Sequence, residues 1–144
     1  FERFNPEIIL DFHEFSSYIG RNFDMTYCPG IKSASPAQLS SLYSAFESLV
    51  DPRLASMSIN CDKTQASVVG WVEGDTRIAG NHMGIKKYAL SYITESKGIP
   101  VDDPLPSMAD RVLMHRIFLE TMIEYADNNK TEIINIVSSL REAY

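Results

Sequence analysis

The spacing of apolar residues changes period along this chain, and that change constrains the fold more than any other feature. Ile8, Phe12, Phe15 and Ile19 recur at helical spacing behind Asn5-Pro6-Glu7, an opening suited to a helix N-terminus, and Gly20 is a natural stop. Ser35-Pro36-Ala37-Gln38 reads as a capping box, with Leu39, Leu42, Tyr43 and Phe46 on one face behind it. Asp51-Pro52 should end that helix, because the residue before a proline is pushed out of the helical region.

The period then shortens. Met57, Ile59 and Cys61 alternate with Ser58 and Asn60, and a Val-rich run with Trp71 follows. This predicts a three-stranded antiparallel meander over roughly residues 57–80, with either Val69 and Trp71 or Val68 and Val72 facing the helices. Helical spacing returns with Ile85, Tyr88, Ala89, Tyr92 and Ile93, closed by Gly98. Residues 99–106 hold Pro100, Pro104 and Pro106 and read as a semi-rigid connector or hinge. Ser107 caps a fourth helix to Ala126, Asp127-Asn128-Asn129 breaks it, and a last helix runs from 132 to 144. The expected fold is therefore α+β, a single domain over residues 1–144 with about five helices and a small mid-chain sheet. The expected core includes Phe12, Phe15, Leu42, Phe46, Val112, Leu119 and Ile136.

The length of 144 residues suits one domain with a real core. With 44% hydrophobic and 22% charged residues, the composition is that of a globular chain and excludes a disordered one. The formal net charge of −6 disfavours phosphate backbones and anionic lipid as partners. No apolar run approaches the length needed to span a membrane, so no membrane partner is expected. The compartment is left open, with an intracellular one favoured. Cys28 and Cys61 are too few for a disulfide scaffold and read as thiols packed like small hydrophobes.

Chemistry-bearing residues are sparse. Cys28 and His82 are the one candidate nucleophile–base pair, in a small hydrolase or transferase. His82 sits where a strand hands over to a helix, a place that binds anions, although Asn81 as a plain helix cap explains it as well. On a helix, Asp11, His13 and Glu14 would not share a face, and His115 has no ligand partner one turn away. No metal site and no cofactor are expected, and no phosphate-cradling loop occurs. Arg77, Lys86, Lys87, Arg111 and Arg116 are the residues for a local basic patch that binds nucleic acid.

The helix at 108–126 is apolar on most faces, with Val112, Leu113, Ile117, Phe118, Leu119, Met122 and Ile123. Such a helix is either central to the core or shared with a partner. The leading expectation is a non-enzymatic interaction or assembly module, a homo-oligomer or the binder of a protein partner. Its interface would be Leu119, Met122, Ile133, Ile136, Val137 and Leu140 on the C-terminal helices.

Overall fold

The computed structural model describes residues 5–16, 23–32, 35–64, 73, 88–99 and 106–143. Among them lie three strands, β1 (Ile8–Ser16), β2 (Met25–Pro29) and β3 (Leu90–Ile99), and two helices, α1 (Ala37–Ser56) and α2 (Met108–Ala143). The strand order is β1-β3-β2, with β1 parallel and β2 antiparallel to the central β3. Ile8 faces Leu90 and Phe15 faces Lys97 in the parallel ladder, while Met25 faces Ser96 and Pro29 faces Tyr92 in the antiparallel one.

The α+β class stands, but the expected architecture does not: two helices and a mixed sheet replace five helices and an antiparallel meander. The first expected helix is β1. Its apolar residues satisfy both periods, and as a strand they serve both sheet faces, with Ile8 and Leu10 on the helix side and Ile9 and Phe15 on the other. The third expected helix is β3. Tyr92, Ile93 and Thr94 favour a strand, but Ser91, Thr94, Glu95, Ser96 and Lys97 are buried there, so no apolar alternation marks it. The segment read as the first meander strand holds only a turn after α1 and one isolated bridge from Cys61 to Met25. The remainder of the expected meander, with Val68, Val69, Trp71 and Val72, lies outside the described residues, as does 100–105 of the expected hinge.

Helix α1 departs from its local signals, whereas α2 keeps its cap, with the Asp110 N–H donating to Ser107 Oγ at 3.1 Å. Ser35 does not cap α1: its hydroxyl donates to the Lys32 carbonyl, and the helix begins after Pro36 without a side-chain cap. Pro52 lies inside α1 rather than ending it. The turn beyond is held by tertiary contacts: Leu54 is buried, and Arg53 donates to Thr121 Oγ1 at 3.3 Å and Glu124 Oε2 at 2.6 Å on α2. The break expected at Asp127-Asn128-Asn129 is present as a kink at Asn129, across which two helical segments run on as α2. Asn129 leaves helical geometry (φ −120°, ψ 17°), and its side-chain amide donates to the Tyr125 carbonyl at 2.8 Å.

The core fills the space between the sheet and both helices. Leu39, Leu42, Tyr43, Phe46, Val50 and Leu54 of α1 meet Met114, Phe118, Met122, Tyr125, Ile133 and Val137 of α2 over Met25, Tyr27, Leu90 and Tyr92. Tyr92 is the hub, with ring centroids 5.1–5.8 Å from Tyr27, Tyr43, Phe46 and Phe118. Each such aromatic pair adds about 0.5–1.5 kcal/mol beyond its buried area. Phe15, Leu42 and Phe46 are buried as expected and Ile136 packs against the cluster, but Phe12, Val112 and Leu119 are exposed. A helical spacing shows that a face is apolar without showing which of two apolar faces turns inward.

Candidate functional site

The exposed side of α2 is the least ordinary surface among the described residues. Met108 is 65% exposed, Val112 57%, Leu119 40% and Ile123 60%. Their spacing of four, seven and four residues sets them within an arc of about 60° along the helix. They form one apolar stripe rather than scattered single residues. Arg116 and Glu120 flank it, paired at 2.8 Å with both side chains more than half exposed. At its C-terminal end Ile123 reaches an open groove of about 510 Å³. Pro6 and Ile8 line one wall, Ala126, Ile133 and Ile134 the other, and Glu7, Asp127 and Lys130 add charge.

The stripe is anchored to the sheet on its N-terminal side. Phe12, 40% exposed on β1, packs edge-on against the His115 ring with centroids 5.2 Å apart. His115 Nδ1 lies 2.9 Å from Thr94 Oγ1, and Nε2 lies 3.1 Å from Ser96 Oγ. Burial holds this imidazole below its ordinary value of 6.5, against the opposing pull of the Glu14 carboxylate. The Ser96–His115 contact has the elements of a nucleophile and base, yet Ser96 is fully buried in the central strand, out of a substrate's reach. One turn earlier, Arg111 donates to Glu14 Oε1 and to the Gly98 carbonyl, both at 2.9 Å. Glycine at 98 leaves room for the Glu14 side chain, which a Cβ there would displace.

A second polar group sits between α1 and the sheet. Glu47, buried on α1, accepts from Lys32 at 2.9 Å and Lys63 at 3.3 Å. Lys63 also pairs with Asp51 at 2.7 Å, and the Tyr27 hydroxyl donates to Asp51 Oδ1. Burial first, then the Asp51 and Glu47 carboxylates, push the Tyr27 phenol far above its ordinary value, so it stays protonated as a donor. Every member of this group has a partner within it, which suits a structural clasp holding the segment after α1 to the sheet.

The structure describes only some of the residues singled out from sequence. Cys28 is buried, its thiol donates to the Pro29 carbonyl at 3.3 Å, and burial followed by Glu73 pushes it up to about 12. At neutral pH it is a packed thiol, not a thiolate nucleophile. His82, Arg77, Lys86 and Lys87 lie outside the described residues. Arg111 is committed to Glu14 and Gly98, and Arg116 to Glu120, so neither forms a patch of surplus positive charge. Of the expected interface residues, Met122, Ile133, Val137 and Leu140 are buried in the core and Ile136 packs against it, leaving Leu119 on the surface.

Sequence reasoning missed the grouping of Asp11 and His13. As strand residues two apart they share a face, with His13 Nε2 2.9 Å from Asp11 Oδ1 and Nδ1 4.0 Å from Glu95 Oε1. Glu14 points to the opposite, helix-covered face, where it meets Arg111. Their period-two spacing was the available signal, hidden by the helical reading of β1. Among the described residues, no cluster of His, Cys, Asp and Glu is arranged to hold a metal ion, and no helix is long and apolar enough to cross a membrane. No family model, no curated protein and no solved structure matches this chain.

Proposed function

We propose that this protein is a non-enzymatic interaction module whose recognition surface is the exposed apolar face of α2 with the groove at its kink. The alignment of Met108, Val112, Leu119 and Ile123 on one arc carries the reading. A helix turns one apolar stripe into its own core, and here Met114, Phe118, Met122 and Tyr125 already make that stripe. Among the described residues the second stripe takes no part in this core, and it leaves apolar area exposed that a partner would remove. The groove supports the same reading, because it extends the apolar surface beyond Ile123 with a pocket rimmed by Glu7, Asp127 and Lys130.

Binding of an environment-sensitive apolar dye tests the surface directly. The native protein should enhance the fluorescence of bis-anilinonaphthalene sulfonate. The Val112→Asp/Leu119→Asp variant, with an unchanged circular dichroism spectrum, should lose most of that enhancement. Equal enhancement by both proteins would place the dye elsewhere and sink the reading.

A further inference from the structure

We infer that His115 is a pH-operated latch, in which protonation of its ring frees the first turns of α2, residues 108–115, from the sheet. The latch stands apart from what α2 binds.

One imidazole meets two hydroxyls of the central strand. His115 Nδ1 lies 2.9 Å from Thr94 Oγ1 and Nε2 lies 3.1 Å from Ser96 Oγ. Thr94 and Ser96 are fully buried, and among the described residues neither hydroxyl has another hydrogen-bond partner. A neutral imidazole carries one donor and one acceptor. In either tautomer, one hydroxyl accepts from the ring and the other donates to it, and both are satisfied. An imidazolium donates from both nitrogens. The hydroxyl that had donated then loses the ring nitrogen as its acceptor, at a position closed to water.

The surroundings of the ring set the sign. Burial disfavours its charge and outweighs the Glu14 carboxylate and the His13 carbonyl on β1, which favour it, while the His13 ring opposes it as well. The Glu14 charge is already met at 2.9 Å by Arg111, whose guanidinium sits one turn before His115 on α2. Arg116, the next residue, is exposed and paired with Glu120. On β3, Glu95 and Lys97 alternate to the other sheet face, so that strand turns only the two hydroxyls to the ring.

The turns before His115 have little else to hold them. Of residues 108–115, only Met114 is buried. Their other polar tie to the sheet is Arg111, which donates to Glu14 and to the Gly98 carbonyl while its Nε stays buried without an acceptor among the described residues. A ring that takes a proton therefore gains by moving into water, and the turns that it pins go with it. Beyond the kink, the same helix is fixed by Ile133, Val137 and Leu140, which do not titrate. Met108 and Val112 lie on the freed turns, so acid would also divide the exposed stripe.

Native-state hydrogen exchange read by NMR, with each rate divided by its intrinsic value, separates the two ends of α2. Residues 111–115 should lose protection several-fold between about pH 7.5 and about pH 5.5, towards a limit of about tenfold set by the ordinary histidine value of 6.5. Residues 130–143 should keep theirs. The His115→Gln amide also offers one donor and one acceptor but does not titrate, so in that variant residues 111–115 should be equally protected at both pH values. Unchanged protection of residues 111–115 in the native protein, a parallel loss at residues 130–143, or the same acid response in His115→Gln would each overturn the latch. The first two outcomes need no variant, so the native protein decides even if His115→Gln does not fold. The dye comparison of the stripe, run at neutral pH, reads the recognition surface alone, so either reading can fail without the other.

Discussion

The two sides of α2 between Met108 and Ala126 are built from the same kinds of residue and have opposite surroundings. Phe118, Met114 and Met122 are fully or almost fully buried, whereas Leu119, one residue on from Phe118, Val112, two before Met114, and Met108 are exposed. The inward side meets α1 and the sheet and gains area burial and edge-to-face ring contacts. On the outward side Arg111 donates to the Met108 sulfur at 3.7 Å, Ile123 lines the groove with Pro6 and Ile8, and Arg116 pairs with Glu120. Apolarity along one helix thus does not report burial, and only the inward residues are expected to show up in the stability of the folded chain.

The largest effect should come from the inward side. Phe118→Ala removes a ring in contact with Phe46, Tyr27 and Tyr92 and should cost about 3–5 kcal/mol in urea unfolding. A loss under 1 kcal/mol would mean that the inward side is not the core. Next comes the polar clasp behind α1. Glu47→Gln removes the charge shared by Lys32 and Lys63 and should cost about 1–3 kcal/mol by the same measurement. Gly98→Ala should displace Glu14 from Arg111 and cost about 1–2 kcal/mol, with Glu14→Ala relieving part of that loss in the double variant. If the two changes simply add, the contact is not made.

The boundary between the two sides is His115, and its titration sharpens the comparison. Its folded-state value lies below its ordinary one of 6.5, so the unfolded chain binds the proton more readily. This contribution is present in full above the unfolded value and is lost as pH falls from about 6.5 towards the folded value. The pH slope of stability in that window should flatten in His115→Gln. The smallest effect on folding should come from the outward side, where Leu119→Asp should change stability by no more than about 0.5 kcal/mol.

How much of this was legible beforehand differs from element to element. The apolar face of α1 was plain, since Leu39, Leu42, Tyr43 and Phe46 recur at helical spacing and all are buried. Its C-terminus was not, because contacts of Leu54 and Arg53 outweigh the local cost of Pro52. The central strand was illegible as a strand, because a sheet covered on both faces buries Thr94, Glu95 and Ser96 alongside Tyr92 and Ile93 and erases the alternation. The apolar excess of α2 was visible. Which of its residues stay exposed was not, because Met122, Ile133 and Val137 are as apolar as Val112 and Ile123, and only the packing separates them. Asp11 and His13 became neighbours only once β1 was a strand.

The two-sided account of α2 is tested most directly by peroxide oxidation of the methionines in dilute solution, followed by peptide mass spectrometry. Met108 on the outward side should oxidise as fast as Met57, which is about half exposed at the end of α1. Met114 and Met122 on the inward side should stay reduced with Met25. Met122 oxidising as fast as Met108 would contradict the division of α2 into a core face and a surface face.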